Sequence, residues 1–195
     1  GDIVATGQDA AGMLVVATSS SYAASGKNYG SISTGQVSIE PHTEEPHLPG
    51  GESTHPEEPD LTTGYHDAAF GMLVIGGEGG ASVYNGGDIE TYGVGSVGAM
   101  AAADGVATAT NAGDISTGTV GGEAYSAGED GRQAPGLIAI SASRDATATN
   151  QEGGSIETSG DSSSGIVALA THGTAAAENY GQVTVNGEVD GIEAG

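Results

Sequence analysis

The segment NAGDISTG, residues 111–118, decides the fold, because close relatives of it recur along the chain. Its copies are NYGSISTG from Asn28, NGGDIETYG from Asn85, NQEGGSIETSG from Asn150 and NYGQVTVNG from Asn179. Glycine beside aspartate and Ser/Thr could form a single ligand-binding loop, or it could mark one unit of a structural repeat. Because the segment recurs, we interpret it as part of a repeat.

Each unit contains a β-branched residue two positions after a glycine. These residues are Ile3, Ile32, Ile89, Ile115, Ile156 and Val183. The successive spacings are 29, 57, 26, 41 and 27 residues. Each unit continues with an apolar run such as GIVALAT from Gly165 and an alternating segment such as VATATN from Val106. A unit therefore holds three short segments in about 26 residues. The two long spacings indicate insertions at about residues 36–66 and 119–135.

The three segments of each unit have the pattern of β-strands. Apolar and polar residues alternate with a period of two, and no helical spacing is sustained. Three short strands per unit, stacked on the next unit at ~4.8 Å, describe a parallel β-helix. The sequence therefore predicts an all-β fold: one β-solenoid over residues 1–195, with about five or six coils and two loop insertions.

Equivalent residues of such a fold lie on top of one another, so each repeat position predicts a column. The first strand predicts an inward column of Ile3, Ile32, Ile89, Ile115, Ile156 and Val183. A second inward column from this strand is Ala5, Thr34, Thr91, Thr117, Thr158 and Val185. The second strand is apolar on both faces, so its inward set is either Leu14, Leu73, Met100, Ile138 and Val167 or the alternate register.

Asparagine ends the third segment of five units, at Asn28, Asn85, Asn111, Asn150 and Asn179. Asparagine tolerates the left-handed backbone of a sharp corner, and its amide can bond the amides above and below it. We therefore predict a structural asparagine ladder. We also expect the glycine two residues later to supply a positive φ.

The charge of the chain restricts its partners. Twenty-six acidic residues oppose three Lys and Arg, which gives a net charge of −23. Nucleic acid and anionic lipid or glycan surfaces are excluded, because binding them requires clustered positive charge. Cations, basic surfaces and neutral sugars remain. The chain has no cysteine, and no apolar run approaches the roughly 20 residues of a membrane-spanning helix, so no membrane insertion is expected.

Units of the form GDI-x-T-x-G, then G-[MLI]-x-V/A-x-A, then A-x-A-x-N-x-G, resemble repeats in passenger domains of bacterial autotransporters and filamentous-haemagglutinin-like adhesins. The resemblance implies a right-handed β-helix, secreted to the surface of a Gram-negative bacterium, with a structural or adhesive function. Gly1 enters directly at a strand and neither end shows a cap. We therefore expect a segment whose partners are neighbouring coils of a longer chain or head-to-tail copies, and a cell-surface receptor or neutral glycan.

The first insertion contains four of the five histidines, His42, His47, His55 and His66, among many carboxylates. Imidazole with carboxylate suits Zn²⁺ or Cu²⁺, and carboxylates alone suit Ca²⁺. The spacings match no structural zinc signature. We therefore expect a solvated or partner-binding loop and no cofactor, with Zn²⁺ or Ca²⁺ binding as the alternative.

Three carboxylates, Asp88, Glu90 and Asp114, are predicted to lie together on the outer face of the first strands. Some β-helices cleave polysaccharides with clustered carboxylates, as lyases or hydrolases. No Lys or Arg is predicted beside these three to bind an acidic sugar, which favours a solvated face. We therefore expect no catalytic residues, with a polysaccharide-degrading enzyme as the alternative function.

Overall fold

The computed structural model describes residues 1–6, 10–17, 19, 21–35, 69–93, 95–120, 123–124, 134–159, 163–186 and 192–194. Over these ranges the regular structure is entirely β, in three parallel sheets. The first sheet contains, in spatial order, β1 (Ile3–Ala5), β4 (Ser31–Thr34), β7 (Asp88–Tyr92), β10 (Asp114–Val120), β14 (Ser155–Ser159) and β17 (Gln182–Asn186).

The other two sheets follow the same coil order. The second sheet contains β2 (Ala11–Val16), β5 (Phe70–Gly76), β8 (Val97–Ala103), β12 (Leu137–Ser141), β15 (Ile166–Ala170) and β18 (Ile192–Ala194). The third sheet contains β3 (Ala24–Asn28), β6 (Ala81–Asn85), β9 (Ala107–Asn111), β13 (Ala146–Asn150) and β16 (Ala175–Asn179). A two-residue strand, β11 (Glu123–Ala124), pairs antiparallel with the end of β10.

The chain visits the first, second and third sheets in turn and then begins the next coil, so each strand pairs with its equivalents one coil away. This arrangement is a parallel β-helix, consistent with right-handed winding, and it confirms the predicted fold class. Within the part of the chain that the structure describes, no helix is long and apolar enough to span a membrane.

The isoleucine column of the first sheet lies in one register through all six strands. Ile115 pairs with Ile89 on one side and Ile156 on the other, and all three side chains are buried. Ile3 and Val183, at the two ends, are partly buried. The threonines two residues further on, such as Thr117 beside Thr91, form the second buried column. Period-two alternation therefore directs these side chains into the interior.

The third sheet supplies small side chains to the interior. Its buried positions are Ala24, Ala81, Val83, Ala107, Ala109, Ala146 and Ala148. The outward positions between them are mostly polar, as in Ala107–Asn111, where Thr108 and Thr110 face out. Because the three sheets lie close together around a narrow interior, a few Ile, Val and Ala residues per coil fill it. This arrangement explains how a chain with little bulky apolar content forms a core.

The second sheet adopts the alternate of the two registers that the sequence left open. Met72, Val74, Leu137 and Ile166 face the interior. The other set faces out, where Leu14 is 58% exposed and Ile138 and Val167 belong to a separate outer cluster. Strands that are apolar on both faces cannot indicate their inward side by alternation alone.

The two insertions lie largely outside the described residues. The first, residues 36–66, is wholly outside them. At the second, residues 119–135, β10 continues to Val120 and its end pairs antiparallel with β11, so the first residues of the insertion extend the strand. Ala134 and Pro135 then lead into β12, and the Pro135 carbonyl accepts a hydrogen bond from Gly98 N–H at 3.1 Å.

A glycine column allows the first and second sheets to approach each other. A Cβ atom at Gly12, Gly71, Gly98 or Gly136 would overlap the Cγ2 atom of the isoleucine in the following coil. At Gly98 the atoms in the way are Cγ2 of Ile115 and, at 2.5 Å, the carbonyl oxygen of Gly136. Since the carbonyl is main chain, the site cannot relax by moving a side chain alone.

Substituting Gly98→Ala should therefore lower the free energy of unfolding by about 1–3 kcal/mol, the usual cost of overpacking a core. Gly86→Ala is the matched control, because the atoms nearest its added Cβ belong to the Tyr84 and Tyr29 rings at the surface. Urea unfolding followed by far-UV circular dichroism measures both variants. Equal stability of the two would contradict the close approach of the sheets.

Candidate functional site at the asparagine corner

The asparagines form a continuous hydrogen-bonded column at the corner between the third and first sheets. Asn28 Nδ2 donates to Asn85 Oδ1 at 2.8 Å, and Asn85 Nδ2 donates to Asn111 Oδ1 at 2.8 Å. Asn111 donates likewise to Asn150, and Asn150 to Asn179, both at 2.9 Å. The first four are buried and Asn179 is exposed.

Each amide also bonds the main chain where the chain turns the corner. Asn111 Nδ2 donates to the Gly113 carbonyl at 2.8 Å and to the Ser155 carbonyl of the next coil at 3.2 Å. Its Oδ1 accepts from Gly113 N–H at 3.4 Å. The asparagine thus adds hydrogen bonds to main-chain groups at the bend, including the Gly113 carbonyl, which also accepts from Ser155 N–H at 3.0 Å, and it holds the coils together.

The glycine two residues after Asn28, Asn85 and Asn111 is present for a different reason from the one expected. Gly30, Gly87 and Gly113 do not have positive φ, so that expectation is wrong. A Cβ atom at Gly113 would overlap the carbonyl oxygen of Gly87 in the preceding coil, and one at Gly87 would overlap that of Gly30. Positive φ occurs instead at the other end of the first strand, as at Gly35 and Gly118, both +73°.

The outward carboxylates of the first sheet lie as the repeat predicted. Asp88 and Asp114 are paired neighbours in adjacent strands, and both are exposed. Glu90, two residues from Asp88, is partly buried between Ser33 and Ser116. The two cationic side chains of the described residues, Lys27 in β3 and Arg144 in the turn after β12, belong to other parts of the coil. The first sheet therefore presents an acidic and hydroxylic outer face over the described ranges.

An open groove lies beside this corner, and sequence reasoning missed it. It has a volume of about 560 Å³ and is lined by Asp114, Gly153, Gly154, Ser155, Tyr180, Gly181 and Gln182. One lining segment is a turn in which Gly154 N–H donates to the Gln151 carbonyl at 3.0 Å and Gly153 has a φ of +86°. Asn150 lies six residues before Ile156, whereas Asn111 lies four residues before Ile115. This two-residue difference was the signal in the sequence that could have indicated the groove.

The histidines proposed as metal ligands, His42, His47, His55 and His66, lie outside the described residues. Among the residues that the structure does describe, no group of three or more His, Cys, Asp or Glu side chains is arranged to hold a metal ion. Binding of Zn²⁺ or Ca²⁺ by the first insertion stays a prediction.

Comparison with known families gives one match. The BigA third pectate lyase-like domain matches residues 1–129, about two thirds of the chain. The chain belongs to this family. The part that matches the BigA-type domain includes the ladder from Asn28 to Asn111 and the carboxylates of β7 and β10. No curated protein and no solved structure matches the chain.

Loss of one central asparagine should destabilise the solenoid strongly. Asn111→Ala removes the bonds to Asn150, Gly113 and Ser155, so the buried Oδ1 of Asn150 loses its donor, and it takes from the amide of Asn85 one of its three acceptors. We expect the free energy of unfolding to fall by about 2–4 kcal/mol, since buried polar groups lose their partners.

Asn179→Ala is the matched control for this experiment, because Asn179 is the exposed end of the described ladder. It should cost less than about 1 kcal/mol, as expected for an exposed site. Chemical denaturation followed by circular dichroism measures both variants. If Asn111→Ala were as stable as Asn179→Ala, the ladder would have no structural role.

Proposed function

We propose that this BigA-type domain is a rigid, non-catalytic β-helix of an extracellular protein, which acts as a spacer and presents adhesive surfaces. The observation that carries the proposal is the unbroken coil-to-coil pairing of all three sheets together with the asparagine ladder. The first five coils are tied to one another through three sheets and at one corner, and the described part of the sixth is joined through β17 and β18. Such a rod keeps its two ends at a fixed separation, as a spacer must.

A cell-surface location is supported by the sequence. The repeat units resemble those of autotransporter passenger domains and filamentous-haemagglutinin-like adhesins, which are displayed by Gram-negative bacteria. Absence of cysteine fits export as an unfolded chain, and a net charge of −23 keeps an exposed rod soluble. The first and last strands of the first sheet, β1 and β17, present parallel edges. We propose head-to-tail copies as partners, because such edges pair with other strands.

The charge distribution supports a role without catalysis. Cleavage of a uronate chain by elimination requires a base and positive charge to stabilise the carboxylate of the sugar. Within the described residues Lys27 and Arg144 lie away from Asp88 and Asp114. An anionic polysaccharide would therefore meet carboxylates on this face without a compensating cation.

A polysaccharide hydrolase is the second candidate, and one observation favours it. Asp88 and Asp114 are neighbours across a sheet whose strands are spaced at ~4.8 Å. Retaining glycosidases hold two carboxyl groups about 5–5.5 Å apart. The family name also refers to a polysaccharide lyase, although it describes likeness and not activity.

An assay on polysaccharides distinguishes the two candidates. Wild-type protein is incubated with neutral and uronate-containing polysaccharides, and reducing ends and unsaturated products are measured. We expect no product, because the described face holds no cation for a uronate chain and because Asp88 and Asp114 are both exposed, so neither carboxyl is shielded from water as a catalytic acid is. Cleavage that is lost in Asp88→Asn or Asp114→Asn but kept in Glu157→Gln, an outward carboxylate one coil further on, would overturn the proposal.

Hydrogen exchange tests the rigidity of the rod. Amides of the central strands β7, β8 and β9 have paired strands on both sides, whereas β1 and β17 are edge strands of the described sheet. We expect the central amides to exchange at least ~100-fold more slowly, because opening them requires breaking two strand interfaces. Uniformly fast exchange, measured by mass spectrometry, would exclude a rigid spacer.

A further inference from the structure

A column of outward positions follows the asparagine ladder, and tyrosines stand near its two ends. Each residue after a ladder asparagine donates its N–H to the asparagine carbonyl of the preceding coil, as Gly86, Ala112, Gln151 and Tyr180 do at 2.7–2.8 Å. The column is therefore Tyr29, Gly86, Ala112, Gln151 and Tyr180. Four coil steps separate Tyr29 from Tyr180, which is about 19 Å at the strand spacing of a sheet.

Both tyrosines are exposed to an extent that the fold does not require. Tyr29 is 71% exposed and Tyr180 is 65% exposed. The Tyr29 ring also packs at an angle of 45° against Tyr84, with 5.7 Å between the ring centroids. The chain has no Trp and one Phe, so tyrosine supplies nearly all of its aromatic surface. Exposed aromatic rings with a polar hydroxyl are typical of binding surfaces.

The surface between the tyrosines carries mixed side chains. Gly86 and Ala112 add no large side chain of their own, although the Tyr84 and Tyr29 rings lie against Gly86, and Gln151 is exposed. Beside this column run the outward residues of the third sheet, Lys27, Tyr84, Thr110, Thr149 and Glu178. The surface therefore offers hydroxyl and amide groups at its middle, with one cation at the Tyr29 end and one carboxylate at the Tyr180 end.

At the Tyr180 end this surface reaches the groove described above. Tyr180, Asp114, Ser155 and Gln182 line it, and their side chains carry a phenol ring, a carboxylate, a hydroxyl and an amide. The groove is open to solvent and has a volume of about 560 Å³.

We propose that this corner, from Tyr29 to Tyr180, binds a neutral oligosaccharide along the axis of the solenoid. The inference rests on the proposed adhesive function and names the ligand that the adhesive surface takes. The C–H faces of sugar rings stack on tyrosine, and their hydroxyl groups bond carboxylate, hydroxyl and amide groups. A net charge of −23 selects against anionic glycans.

A peptide fits this corner less well than a sugar. Peptides that bind β-structures usually add a strand to a free sheet edge, which requires unpaired main-chain groups. Here the N–H groups of Gly86, Ala112, Gln151 and Tyr180 are already bonded to asparagine carbonyls. The corner thus offers side-chain and ring surfaces without a main-chain edge.

Calorimetry with the full chain tests the site, using neutral gluco-, galacto- and manno-oligosaccharides of increasing length and uronate oligosaccharides for comparison. We expect affinity for one neutral series to rise with length until the ligand spans both tyrosines. Tyr29→Ala and Tyr180→Ala should each weaken that affinity roughly tenfold, as loss of one aromatic contact does. Tyr22→Ala is the matched control, since this tyrosine is 72% exposed at a different turn, and it should leave binding unchanged.

The outcomes separate this site from the proposed function. Absence of binding by every neutral series, equal loss in Tyr22→Ala, or binding of uronate oligosaccharides alone would each overturn the site, while the spacer function would stand. Cleavage of the sugars would overturn the non-catalytic function, and the tyrosine variants would still decide the site through their affinities. Circular dichroism of each variant confirms that the exposed substitutions leave the fold intact.

Discussion

In-register stacking of coils is the constraint on which this structure depends. Because each residue lies above its equivalent in the next coil, every column must hold side chains that tolerate a copy of themselves. Asparagine meets this condition with one donor and one acceptor, so Asn85, Asn111 and Asn150 bond one another without an unpaired amide in the interior. Isoleucine meets it by packing, and Gly87 and Gly113 meet it by having no Cβ at all.

The same constraint explains how much could be read from the sequence. Because coils stack in register, equivalent residues of successive repeats lie next to each other. The repeat alignment of Ile89, Ile115 and Ile156 therefore predicted their pairing. The inward face of the second strand could not be predicted in this way. Leu73 and Met72 are both apolar, so alternation does not show which of them faces the interior. The glycines at the corner were misinterpreted for a related reason. A glycine can be required for positive φ or for lack of space for a Cβ atom, and the sequence does not distinguish these two causes.

Interior packing does not restrict the side chains at outward positions. Unusual residues at these positions are therefore the ones to examine for function. The position after the asparagine accepts residues as different as Gly86, Ala112 and Gln151, so the fold does not require an aromatic ring there. Tyr29 and Tyr180 occupy this position with exposed rings that do not join the core. The groove beside Tyr180 was not predictable from the repeat, because it arises where one unit, Gln151–Gly154, differs in length from its neighbours.

Stacking also brings like charges together, as it does with Asp88 and Asp114. Burial of such a pair in the interior would be strongly unfavourable, but on an exposed face the high dielectric constant of water weakens the repulsion, and salt screens the field beyond about 8–10 Å. What remains is a field that repels anions and other copies of the rod approaching side by side. The proposed head-to-tail association would pair strand edges end to end, away from this field, and the proposed corner site would take ligands without charge. The rod and its binding surface thus follow from one repeated coil.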